Sequence, residues 1–137
     1  MDNKKVAFCS AAGFLFIFMF DYIYHGMLLA GMYAETAALW REPGMVQQLM
    51  PVALMGQLFI AVAAAIFFHF GYEGRGRREG MKYGLYFGIL LAGMHFMWFA
   101  YMPLPFDLVA AWIVGDFVKG IGLGMLFAWL HDKPVTA

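Results

Sequence analysis

The stretch from Leu108 to Leu130 is apolar, long enough to cross a bilayer, and carries Asp116 and Lys119 in its interior. At about 1.5 Å of rise per residue, some 20 residues span the hydrocarbon core, so both charges fall well below the headgroups. Ionisable groups there are costly and pair with one another or face a polar interior. Three other apolar segments supply the candidate partners Asp21, His25, Gln57 and His95. The chain is therefore expected to fold so that its helices bring these six side chains together.

Of 137 residues, 64% are hydrophobic and only 13% charged. This is far above the roughly 45–50% apolar content of soluble domains. The spacing predicts helices over Val6–Tyr33, Met45–Phe70, Lys82–Met102 and Asp107–Leu130, with connections too short for a soluble domain. The expected fold is an all-α integral membrane four-helix bundle forming one domain over residues 1–137, with lipid as its main surroundings. No segment alternates with the period of two that a membrane barrel requires. The formal net charge is zero and no basic face exists, which argues against a nucleic-acid partner.

Lys4 and Lys5 before an apolar run resemble the start of a signal peptide. The run continues past Asp21 and His25 without a small-residue cleavage pattern, so it reads as a retained helix. The lone Cys9 has no internal disulfide partner. Lys4, Lys5, Arg75, Arg77, Arg78, Lys82 and Lys133 fall in one set of loops and ends, and only Arg41 in the other, so both termini are expected to be cytoplasmic. The loop Gly71–Gly80 is glycine-rich and basic, as phosphate cradles are. It lacks the Walker spacing and a preceding strand, and reads as a solvated positive loop.

Gly26-Met-Leu-Leu-Ala-Gly-Met32 recurs as Gly88-Ile-Leu-Leu-Ala-Gly-Met94, and at the same offset His69 falls on His131 and Pro43 on Pro105. The second hairpin can be a copy of the first, an arrangement that transporters use around a midplane site. Within that hairpin, Gly80, Gly84 and Gly88 recur every four residues, as do Gly120 and Gly124, which marks faces for close helix approach. Folding about Pro103–Pro105 sets Gly84 opposite Gly124 and Gly88 opposite Gly120, and brings His95 within reach of Asp116. The first hairpin likewise sets Asp21 near Gln57. Asp21, Gln57 and Lys119 then lie roughly 18 Å from the outer helix ends, and His25, His95 and Asp116 about 10–13 Å.

Several roles fit this layer. It can fix helix register in a non-catalytic accessory subunit, homo-oligomer or ligand-binding module, or serve a proton- or ion-coupled transporter through Asp21, Asp116 and Lys119. His25 and His95 can ligate a haem b. The same histidines with thioethers of the outer half, Met94 and Met97 among them, can hold Cu(I). An enzyme is not expected, since no nucleophile with a base, HExxH pattern or dinucleotide fingerprint occurs. Trp40, Tyr72, Tyr101 and Trp129 read as interfacial anchors, and His69 and His131 as helix-terminating residues.

The stretch Glu79-Gly-Met-Lys-Tyr-Gly-Leu-Tyr-Phe-Gly88, with Pro103-Leu-Pro-Phe-Asp-Leu-Val-Ala-Ala-Trp112, resembles small uncharacterised four-helix membrane proteins of bacteria. The resemblance covers the second half of the chain and implies a bacterial inner membrane, without implying an activity.

Overall fold

The computed structural model describes residues 2–132, and among them every regular element is helical. The elements are α1 (Asn3–Ile23), α2 (Ala30–Glu35), α3 (Pro43–Gln48), α4 (Met50–Gly71), α5 (Arg77–Tyr101) and α6 (Phe106–His131). Four helical stretches are long and apolar enough to cross a membrane: Asn3–Leu28, Met50–Gly71, Arg77–Tyr101 and Phe106–His131. Large apolar side chains such as Phe59, Phe67, Ile89, Leu90 and Phe96 point outward from them. Lipid contact suits those faces, whereas so large an exposed apolar surface is rare on soluble monomers.

The first two helices are not continuous as the sequence suggested. After Ile23 the backbone widens into a π-turn, Tyr24–Leu28, in which Leu29 N–H reaches the Tyr24 carbonyl at 2.9 Å. The axis then breaks at Leu29, which turns inward to pack with Leu104, Leu108, Val109 and Trp112. The second helix breaks at Leu49, between α3 and α4. Pro51 accounts for that break: it lacks an N–H and its ring cannot follow a preceding helical turn, but it is tolerated in the first turn of α4.

α6 is the central element. It packs along the whole of α5, while α1 packs on α4 and both meet α6. Its buried residues run from Leu108 to Leu130. Two apolar cores result. The larger, near the end carrying Asp2 and Asp132, joins Ile17, Ala64, Phe68, Leu123 and Phe127; the smaller, at the far end, is built around Leu29, Leu108 and Trp112. In chain order along α1 with its π-turn, and along α6, Asp21, His25, Asp116 and Lys119 fall between the two.

Glycine brings α5 and α6 together. A Cβ on Gly84 would run into the Gly120 carbonyl, and one on Gly80 into that of Gly124. Gly120 and Gly124 thus each nest between two glycines of α5, and the closest approach of each is one turn nearer the α5 N-terminus than the expected pairs Gly84 with Gly124 and Gly88 with Gly120. Phe117 explains the offset, because its ring occupies the space over Gly88, where a Cβ would come within 2.8 Å of it. Against α1 the device is a ring over a glycine: Tyr24 covers Gly115 and Phe16 covers Gly122.

Candidate functional site

Lys119 stands between two carboxylates. Its Nζ lies 3.0 Å from Asp21 Oδ1 on α1 and 3.4 Å from Asp116 Oδ1 one turn away on α6. Asp21 Oδ2 accepts a hydrogen bond from Gln57 Nε2 of α4 at 2.8 Å, and His25 Nε2 lies 3.9 Å from Asp21 Oδ1. At the other end, His95 Nδ1 on α5 comes within 2.7 Å of Asp116 Oδ2. That contact is not aligned with the ring N–H, so it is a charge contact more than a directed hydrogen bond. The six polar residues singled out from the sequence therefore join into one chain, His25–Asp21–Lys119–Asp116–His95, with Gln57 as a branch. Asp116 is the most enclosed, its residue surface only 3% exposed.

Tyr33 is a member that sequence reasoning missed. Its hydroxyl oxygen accepts from Trp112 Nε1 at 2.8 Å and lies 2.8 Å from His25 Nδ1. Indole N–H is a donor only, which leaves the phenol O–H free to donate to His25 Nδ1 while Nε2 faces Asp21. Tyr24 O–H donates to the Ala111 carbonyl at 2.8 Å, and the Trp112 ring stacks obliquely on His95 at 5.1 Å. Trp40, expected to anchor in the interface, instead packs on Tyr33 and Trp112 and donates to Thr36 Oγ1 at 2.9 Å. Tyrosine and tryptophan near a helix end look the same in sequence whether they face lipid headgroups or a neighbouring ring.

Two carboxylates and one ammonium leave this layer one positive charge short of neutral. His95, against Asp116, and His25, beside Asp21, are the two imidazoles that adjoin its carboxylates. A cavity of about 210 Å³, lined by Phe18, Asp21, Tyr22, Met50, Leu54 and Gln57 among others, opens between α1 and α4 onto the opposite, Asp21, side of the layer. Gln57 Oε1 is buried there without a hydrogen-bond partner among the described residues.

No family model, curated protein or solved structure matches this chain. The reading of the site accordingly rests on its own geometry.

The side chains suggested as cofactor ligands are engaged with neighbours or face outward. Both ring nitrogens of His25 face partners, Tyr33 and Asp21, so an axial bond to haem would have to displace one of them. Met94 and Met97 point outward from α5, 50% and 57% exposed, away from the His95–Asp116 contact. Among the described residues, no group of three or more His, Cys, Asp or Glu side chains is disposed to hold a metal ion.

A second polar cluster closes the other end. Asp2 N–H donates to His69 Nε2 at 3.3 Å, His69 Nδ1 lies 3.2 Å from His131 Nε2, and His131 Nδ1 lies 3.0 Å from the Phe127 carbonyl oxygen. The amide can only donate and the carbonyl only accept, so the donors of this series run in one direction, from α1 through His69 and His131 to the Phe127 carbonyl. The two histidines that looked like independent helix-terminating residues thus tie α4 to α6. The offset at which His69 falls on His131 was the available signal. Tyr72 likewise turns inward and donates to Asp132, while Tyr101 stays on the surface.

Burial pushes the Tyr33 phenol up to about 12, against a small opposing pull from the Trp112 hydrogen bond. The folded protein thus favours neutral Tyr33, and the contribution, fully present below the ordinary phenol value near 10, is lost as pH rises from about 10 through 12. Ultraviolet titration of wild type against Tyr33→Phe should place the missing phenolate signal at the top of that window. A difference signal already complete by pH 10 would show that Tyr33 is not enclosed.

Proposed function

We propose that this chain is a small multi-pass protein of a bacterial inner membrane, with both termini cytoplasmic. In this reading it acts as a non-catalytic ligand-binding module or accessory subunit of a membrane assembly, and the ligand its intramembrane layer holds is a proton. The observation that supports this is the charge imbalance of the connected layer. Asp21, Asp116 and Lys119 sum to one negative charge, and uncompensated charge in a low-dielectric interior is far more costly than a bound proton. Of the two imidazoles beside these carboxylates His95 is the closer, 2.7 Å from Asp116 against 3.9 Å between His25 and Asp21, so this reading puts the proton at the His95 end of the layer. The four candidate spans and the basic residues gathered at one set of loops and ends support the membrane setting.

Infrared difference spectroscopy in nanodiscs tests the proton. The wild-type protein should show a titrating carboxyl or imidazole signal that Asp116→Asn abolishes and Asp21→Asn leaves in place. If both variants keep the wild-type spectrum, the layer holds no exchangeable proton.

The cavity beside Asp21 favours a second reading, a proton- or ion-coupled transporter. It gives the layer a side entrance between α1 and α4, as a substrate path would require. Proteoliposomes carrying a pH-sensitive dye separate the two readings. A transporter should dissipate an imposed pH gradient and lose at least about tenfold in rate in Asp116→Asn, the scale of removing a positioned proton carrier. A gradient that persists in wild type leaves the module reading alone.

A further inference from the structure

The connection between α4 and α5 encloses a cavity of about 440 Å³ whose wall includes Glu73, Arg75, Arg78, Glu79, Lys82 and Tyr86. The loop curls through Gly74 and Gly76, whose φ of 83° and 72° other residues rarely adopt. Its two acids are engaged within the loop. Glu73 pairs with Arg75, and the two oxygens of Glu79 accept the Glu73 and Arg75 amides, each at 2.8 Å. Arg78 and Lys82 have no acidic partner among the described residues. They lie four residues apart, hence on one face of α5, and Tyr86 continues that face with its ring 5.8 Å from Lys82 Nζ. Next along the same face comes Leu90, exposed and apolar.

We propose that this cavity binds the phosphate of an anionic phospholipid headgroup, with Arg78 and Lys82 as its ligands. A guanidinium presents paired donors that match phosphate oxygens, and an ammonium adds a point charge beside it. The first turns of a candidate span are at headgroup depth. From there the Tyr86 and Leu90 face leads into the apolar zone, where an acyl chain would follow. The volume falls within the roughly 300–1,000 Å³ of pockets that take small organic molecules, so it admits a glycerol ester as well as a bare ion. Side chains supply the contacts, so the missing Walker spacing is no obstacle.

Native mass spectrometry of the full chain in mild detergent, with added phosphatidylglycerol or phosphatidylcholine, tests the site. Wild type should retain phosphatidylglycerol in preference. Arg78→Gln with Lys82→Gln should weaken that retention about ten- to thirty-fold, as expected for two basic groups near an anionic surface. Arg77→Gln with Lys4→Gln removes the same charge from the same end and should leave retention within about twofold. Equal losses in the two variants would reduce the effect to diffuse charge and overturn the site. Equal retention of the two lipids would also overturn it. Millimolar inorganic phosphate should not displace the lipid; if it does, the same side chains serve free phosphate and the lipid assignment fails. Should the double variant not fold, Arg78→Gln alone is expected to lose about fivefold, with the same reversals.

Discussion

Replacing Lys119 by methionine is expected to lower unfolding stability in mild detergent by about 3–5 kcal/mol, the usual cost of breaking a buried pair. Adding Asp116→Leu to that variant should restore most of the loss, and adding Asp21→Leu a smaller part. The order follows from enclosure. Without the ammonium, Asp116 is left at 3% exposure with the His95 ring as its remaining close polar contact among the described residues. Asp21 keeps its Gln57 hydrogen bond and a side chain 22% exposed beside the α1–α4 cavity. Removing the more buried anion therefore relieves more desolvation. Strictly additive losses in both combinations would show that the three groups are not coupled. A Lys119→Met/Asp116→Leu protein that regains stability but no longer titrates would assign the layer to function and not to packing.

Gly84→Ala should cost about 3 kcal/mol, the upper end for overpacking, because the new methyl meets the backbone carbonyl of Gly120, not the end of a side chain that can rotate away. Relief would require α5 and α6 to move apart along their full contact. Gly93→Ala is the matched control on the same helix. Nothing lies within 4 Å of its added Cβ, so the helix preference for alanine over glycine should make the change neutral or slightly stabilising. Thermal unfolding followed by circular dichroism distinguishes the two. Similar midpoints for both variants would mean that the helices are not packed through their glycines.

The membrane-length helices and the six-residue layer were legible in the sequence because both depend on a costly violation of an otherwise uniform pattern. A carboxylate in an apolar run has few neighbours that can compensate it, and antiparallel folding about a short turn fixes which are at the right depth. His95 with Asp116 and Asp21 with Gln57 follow from that alone. The glycine register was off by one turn because bulk, not smallness, decides the last few ångströms, and the Phe117 ring gave no sign of its place over Gly88. Tyr33, Tyr24 and Trp112 were not legible as parts of the site, since aromatic rings near a helix end satisfy an interfacial role equally well. The π-turn at Tyr24–Leu28 left no mark either. It depends on where the Tyr24 ring and Leu29 find room on α6, which no local pattern encodes.

The central place of α6 bears on how such a chain is made. α1 leaves the ribosome before α6 and enters lipid with Asp21 aboard, whereas the lysine that pairs with it arrives almost 100 residues later in synthesis. During that interval Gln57 is the available partner, reaching Asp21 once α4 has followed α1 into the membrane. The glycine face of α5 has no counterpart until α6 is inserted. Assembly is thus held open until α6 joins α1, and a chain halted before Phe106 carries a carboxylate without its ammonium and a bare glycine groove, both of which distinguish it from the finished protein for any membrane protease that surveys unassembled helices.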